Sequence, residues 1–93
     1  MDEGVAAVRL QFPVRVKAID ERASWDDVFC EICRDFAEAQ TELARWEASS
    51  DPNREQRCAE YRELVAGLGK EIEDALDNAA VLSLHHPPAQ PPR

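Results

Sequence analysis

Two long runs of apolar residues, each repeating at alternating spacings of three and four, constrain this chain more than any other feature of its sequence. Such a repeat places the apolar side chains along one stripe of an α-helix and leaves the opposite face polar. The sequence therefore predicts two long amphipathic helices whose stripes pack against each other. The first stripe contains Phe29, Ile32, Phe36, Ala39, Leu43 and Trp46, and the second contains Cys58, Tyr61, Val65, Leu68, Ile72, Ala75, Ala79 and Leu82.

The residues around the two runs favour a short turn that folds the second helix back along the first. Ser24 is a favourable N-cap for the first helix, and Ser49 and Ser50 end it. Asp51 followed by Pro52 is typical of a helix start. With about 25 residues in each helix, roughly 38 Å long, we expect an antiparallel helical hairpin.

The N-terminal part of the sequence has a different period. From Val8 to Ala18 every second residue is apolar, and the residues between them are polar or basic apart from Pro13. Strict alternation is typical of a β-strand that is buried on one face, and a proline on the other face indicates an edge. We therefore expect a mainly α fold in which one N-terminal β-strand precedes the hairpin.

A single strand has no partner of its own, and the hairpin leaves apolar side chains on its flanks, so we expect association. Two copies would pair their strands across a two-fold axis and form a homodimer. The predicted organisation is a flexible N-terminus at 1–7, one strand–helix–helix domain at 8–86 and a disordered proline-rich tail at 87–93. The residues expected to mediate assembly are Val8, Leu10, Phe12, Val14, Val16, Val28, Leu64 and Leu76.

The chain is acidic, since 19 Asp and Glu against 11 Lys and Arg give a formal net charge of −8. This balance argues against nucleic acid or an anionic membrane as the main partner. Residues 20–50 alone carry nine acids and three bases. The outer side of the first helix is therefore a candidate docking face for a basic protein, and its acids are Asp27, Glu31, Glu38 and Glu42.

Features of the sequence that report on location favour the cytoplasm. No apolar run approaches the roughly 20 residues that span a bilayer. The N-terminus lacks the basic and apolar regions of a secretory signal. The three cysteines, Cys30, Cys33 and Cys58, are odd in number and lack the spacing of a disulfide framework, which suits a reducing compartment.

Cys30 and Cys33 form a C-x-x-C motif, which leaves open a role in sensing thiols or metals. Nearby acids raise a thiol pKa and so argue against redox catalysis. A zinc site would require two more ligands, such as His85 and His86, whose neighbouring side chains diverge. We therefore predict no catalytic residue, no metal site, no cofactor and no small-molecule substrate.

The predicted order of strand, helix and helix, with Arg9, Gln11, Arg15 and Lys17 on the polar strand face, resembles that of ribbon-helix-helix repressors. The resemblance implies paired strands that enter the major groove of DNA. A DNA-binding regulator is therefore one alternative, and the thiol or metal sensor is another.

The function that best fits these expectations is non-enzymatic: a self-associating adaptor, accessory subunit or small chaperone that works through the hairpin and the strand. Residues 88–93 fit the pattern P-x-x-P-x-R, so a role of the tail as a peptide ligand also stays open.

Overall fold

The two long apolar runs form a pair of packed helices, which confirms the mainly helical fold. The computed structural model describes residues 2–85, with side chains described for residues 2–78. Within them the chain forms four α-helices and a 3-10 turn. The helices are α1 (Glu3–Gln11), α2 (Val16–Ala23), α3 (Asp27–Glu47) and α4 (Arg54–His85), and the 3-10 turn at Pro13–Arg15 lies between α1 and α2.

Both hairpin helices begin later than the sequence predicts. Asp26, rather than Ser24, is the N-cap of α3, and its carboxylate accepts a hydrogen bond from a backbone N–H of the first turn at 3.0 Å. Asp51 closes a turn ahead of α4 by accepting a hydrogen bond from the Asn53 N–H at 2.7 Å. Helix α4 then begins at Arg54.

The predicted N-terminal strand is wrong, because residues 8–18 lie in α1, a bend at Phe12, the 3-10 turn and α2. Pro13 lies in the first turn of the 3-10 segment, where its missing N–H is tolerated and where it separates the two helices. Residues 3–7, expected to belong to a flexible N-terminus, form the first turns of α1. Gly4 and Val5 among them are buried.

A second apolar period, overlooked in the strand prediction, explains the helices. Residues 5, 8, 12, 19 and 23 are apolar and recur at helical spacings. Val5, Val8 and Ile19 are at most 4% exposed. Leu10 and Val14, which a strand would bury on the same face as Val8, are 84% and 94% exposed. The alternation of apolar residues at 8–18 is therefore a coincidence, and the helical spacing is the pattern that the fold uses.

Helix α1 lies against α3 at a close crossing that requires glycine. A Cβ atom at Gly4 would lie 2.5–2.7 Å from backbone atoms of Cys33 and Arg34. Asp2 caps α1 by accepting a hydrogen bond from the Gly4 N–H at 2.7 Å, and it pairs with Arg34 at 2.9 Å. These contacts, the Gly4 N–H foremost, lower the pKa of the Asp2 carboxyl.

Arg22 joins α2 to both hairpin helices. Its Nε donates to the Asp26 carboxylate and its Nη1 to the Ala75 carbonyl, each at 2.7 Å. The guanidinium also lies 5.0 Å from the ring centroid of Trp25, a cation–π distance. The Phe29 N–H and then Arg22 hold the pKa of Asp26 below its usual value.

The hydrophobic core lies where all four helices meet. It takes in α1, α2, the first half of α3 and the part of α4 around Ile72, and its fully or nearly fully buried members are Val5, Val8, Ile19, Phe29, Cys33, Phe36, Ile72 and Leu76. One chain thus covers its own N-terminal apolar stripe. Residues 2–85 contain no strand that could pair across a two-fold axis, while dimerisation itself stays a prediction.

No helix in the described part of the chain combines the length and the apolar character needed to cross a membrane. The predicted proline-rich tail at 87–93, its P-x-x-P-x-R pattern and His86 lie outside the described residues.

Candidate docking site on the helical hairpin

A shallow groove separates α3 and α4 on the side of the hairpin away from α1. Ala39, Tyr61, Leu64 and Leu68 form its apolar floor, and its volume is about 340 Å³. Leu64 remains 48% exposed there. The end of α1 instead covers the opposite side of the hairpin, where Phe12 lines a different hollow. The groove is thus the long face of the hairpin that neither N-terminal helix occupies.

A second hollow, of about 360 Å³, adjoins the first at Leu64 and Leu68 and is lined by residues of α4 alone. Beyond the adjacent residues and the backbone of α4, a Cβ atom at Gly67 would have no atom within 4 Å, so a side chain there would project into open space. We call the two hollows together the α3–α4 groove. Its lining residues are Asp35, Glu38, Ala39, Glu42, Glu60, Tyr61, Glu63, Leu64, Gly67, Leu68 and Glu71.

Six carboxylates and no basic side chain line the α3–α4 groove. From outside it, Arg45 pairs with Glu42 at 2.6 Å and Arg57 pairs with Glu60 at 3.1 Å. The groove is therefore apolar along its floor and negative along both edges. Among the described side chains, four groove acids form no ion pair: Asp35, Glu38, Glu63 and Glu71.

The acidic face expected from the sequence overlaps this groove only in part. Glu38 and Glu42 line it, whereas Asp27 and Glu31 lie exposed nearer the start of α3 and do not. Asp35 and the three acids of α4 were not among the residues predicted for this face. Their signal was present, because residues 35, 38 and 42 repeat the helical spacing and residues 60, 63 and 71 do so on the second helix.

The residues expected to mediate assembly lie in different environments. Val8 and Leu76 belong to the core of the chain itself, at 0% and 3% exposed. Phe12 and Val16 are half-buried. Only four of the eight are open to a partner: Leu10, Val14, Val28 and Leu64.

The two cysteines of the C-x-x-C motif pack against the core. Cys33 is fully buried, and this burial raises the pKa of its thiol to about 12. Cys30 is half-buried, and its Sγ donates to the Ala23 carbonyl at 3.3 Å. Burial and then the negative charges of Asp2 and Asp27 raise the pKa of Cys30 as well. Both thiols therefore stay protonated at neutral pH, which makes them poor nucleophiles.

Two of the three bases expected on a DNA-reading strand form ion pairs within the chain, and Lys17 is exposed. Arg9 pairs with Asp20, and Arg15 pairs with Asp77 at 2.9 Å. Residues 2–85 contain no strand, so the ribbon implied by the resemblance to ribbon-helix-helix repressors has no counterpart among them.

No group of three or more His, Cys, Asp or Glu side chains that could hold a metal ion occurs among the described residues. The side chain of His85 and all of His86 lie outside them. A scan against models of known protein families, a search of curated proteins and a search of solved structures each found no match to this chain.

Proposed function

We propose that this chain is a non-enzymatic protein-interaction module that holds a partner protein in the α3–α4 groove. The observation that carries the proposal is Leu64, a large apolar side chain that is 48% exposed at the junction of two adjoining hollows. Burial of this leucine against a partner would favour binding, because it removes apolar surface from water.

The surroundings of Leu64 support a protein partner rather than a small molecule. The groove is open along its length and shallow, whereas sites for small molecules are concave and enclose most of the ligand. Its apolar floor has a polar edge on both sides, which is the anatomy of a protein interface with a core and a rim.

A photo-reactive amino acid in place of Leu64 tests the proposal in cells that make the protein. We expect it to cross-link a specific protein, and we expect no such product from the same amino acid at Glu21, which is exposed on α2.

The partner identified in this way should bind the purified chain. Leu64→Glu should weaken that binding by at least about tenfold, or 1.4 kcal/mol, without lowering the melting temperature. Unchanged binding by this variant would refute the groove as the docking site.

Self-association is a second candidate function, and it is favoured by two other exposed side chains. Leu10 and Val14 lie at the junction of α1 and α2, where they are 84% and 94% exposed. If this patch joins two chains, the mass in solution should exceed that of one chain and Val14→Asp should reduce it to the mass of one. A wild-type mass equal to one chain at high concentration would exclude this candidate.

A further inference from the structure

We infer that the occupant of the α3–α4 groove is an amphipathic helix of a partner protein, with apolar residues on one face and Lys or Arg on both borders. This inference rests on the proposed function and adds the chemistry of the partner. It follows from the spacing of the apolar floor, from the signs of the charges around it and from the openness of the groove at Gly67.

The apolar floor has the dimensions of a helix-binding site. Tyr61, Leu64 and Leu68 lie at spacings of three and four along α4 and span seven residues, which is about 10 Å of helix. A helix that lies in the groove presents anchors at positions i, i+3 or i+4, and i+7, which cover the same length. Two to three turns of the partner are therefore enough to fill it.

The charges select among amphipathic helices. Both edges of the groove carry carboxylates, with Glu38 on the α3 side and Glu71, seven residues from Leu64 on the same face of its helix, on the α4 side. At physiological ionic strength charges are screened beyond about 8 Å, so only residues that border the docked helix contribute. Lys or Arg at those borders face acids without an ion-pair partner in the described part of the chain, whereas acidic borders would be repelled.

The same charges disfavour a second copy of this chain as the occupant. Two α3–α4 grooves placed face to face would bring six carboxylates of one chain against six of the other. Like charges at close range cost free energy unless a base separates them, and no base lines the groove. A different protein with a basic amphipathic helix meets no such penalty.

Two designed peptides test the inference with the full chain. Both carry leucines at positions i, i+4 and i+7 of a helix, and their borders are Lys in one peptide and Glu in the other. We expect fluorescence anisotropy to show that the Lys peptide binds at least about tenfold more tightly and that its affinity falls as salt is raised. Equal binding of the two peptides would overturn the inference.

Variants of the chain locate the binding. Gly67→Leu fills the second hollow with a good helix former, so it should abolish peptide binding while keeping or raising the melting temperature. Ala66→Leu is the matched control and should leave peptide binding unchanged. Ala66 lines a different hollow, the one that Phe12 also lines, and not the α3–α4 groove. Glu38→Gln combined with Glu71→Gln should weaken binding of the Lys peptide and strengthen binding of the Glu peptide, because it removes attraction in the first case and repulsion in the second. Full binding by Gly67→Leu would place the peptide elsewhere and overturn the inference.

The photo-cross-link at Leu64 distinguishes failure of the basic-helix inference from failure of the proposed interaction module. A partner protein captured there, together with failure of the Lys peptide, refutes the basic helix but leaves the interaction module standing. A cross-link that joins two copies of this chain refutes the inference in favour of self-association through the groove. A cross-link to no protein refutes the proposed function itself, even if a designed peptide binds.

Discussion

At the scale of single residues, two glycines of this chain should respond in opposite ways to the same substitution. Gly4→Ala should lower the free energy of unfolding by roughly 1–3 kcal/mol, because the new Cβ meets the backbone of α3 at 2.5–2.7 Å. Gly67→Ala meets no atom within 4 Å and should raise it by up to about 1 kcal/mol through helix propensity. Chemical denaturation of both variants checks this pair. A Gly4→Ala variant as stable as the wild type would mean that α1 does not cross α3 at this point.

Asp26 has two roles that a pair of substitutions separates. Asparagine is also a good N-cap, so Asp26→Asn should keep the cap of α3 and lose only the charge that faces Arg22. Asp26→Ala loses both and should cost about 1 kcal/mol more in free energy of unfolding. Urea denaturation of the two variants measures the difference, and equal losses would contradict the cap.

The lowered pKa of Asp26 also predicts the pH range over which Asp26→Asn should be less stable than the wild type. The carboxylate stabilises the fold above the unfolded pKa of 3.8, and this stabilisation disappears as the pH falls through the folded pKa. The stabilities of wild type and variant should therefore converge in acid.

Because the Cys33 thiol is buried, the fold should become less stable at alkaline pH. Because its pKa rises from 9.0 to about 12 on folding, the thiol stabilises the fold below pH 9. Between pH 9 and 12 the unfolded chain loses its proton first, so stability should fall by up to about 1.4 kcal/mol per pH unit. Denaturation curves of the wild type and of Cys33→Ala, compared at several pH values, isolate this contribution. A constant difference between the two proteins above pH 9 would contradict the burial of the thiol.

At the scale of elements, the long helices could be predicted from sequence and the N-terminal helices were not. The repeats in α3 and α4 extend over many turns, and no alternative period competes with them. In residues 5–23 a helical stripe overlaps an alternating one, and Val5, which distinguishes them, lies just before the alternating run. Gly4 gave no signal either, because its close approach to α3 depends on a contact between distant parts of the chain.

The candidate site could be predicted to a similar, partial extent. Glu38 and Glu42 were identified because one helix face is visible in the spacing of a single segment. The groove as a whole was not, since it forms between two helices and is defined also by where α1 does not pack. The acids of α4 join those of α3 only after the hairpin closes.

Phe12 and Val14 distinguish the helical structure of the N-terminal segment from the strand. On a strand the two side chains would share one face, so aspartate at either position would have the same effect. In the helical structure the Phe12 ring lies 6.4 Å from that of Phe36, whereas Val14 is 94% exposed. At concentrations where the mass is that of one chain, Phe12→Asp should lower the melting temperature by many degrees and Val14→Asp should leave it nearly unchanged. Similar losses in both variants would favour the strand.

At the scale of the whole molecule, the core is unevenly distributed along an elongated shape. The principal extents are 56 × 28 × 21 Å, and the radius of gyration of 16.2 Å exceeds the roughly 12 Å of a compact domain of this length. The main core lies at the end of the hairpin where α1 and α2 pack. Towards the loop at 48–53 the buried apolar residues outside this core are Ala39 and Cys58, both small.

This distribution predicts a gradient of local stability that peptide binding should partly remove. Local opening requires less free energy where less apolar surface is buried, so backbone amides near the loop should exchange with deuterium faster than those around Phe36 and Ile72. The α3–α4 groove lies between these regions, and its Ala39 and Tyr61 belong to the less stable side. Binding of the Lys-bordered peptide should therefore slow exchange near Tyr61 more than near Ile72, because ligand binding stabilises the closed state. Hydrogen–deuterium exchange with mass spectrometry measures both effects. Uniform protection along the free chain would contradict the uneven core, and slowing confined to α1 and α2 would contradict binding in the groove.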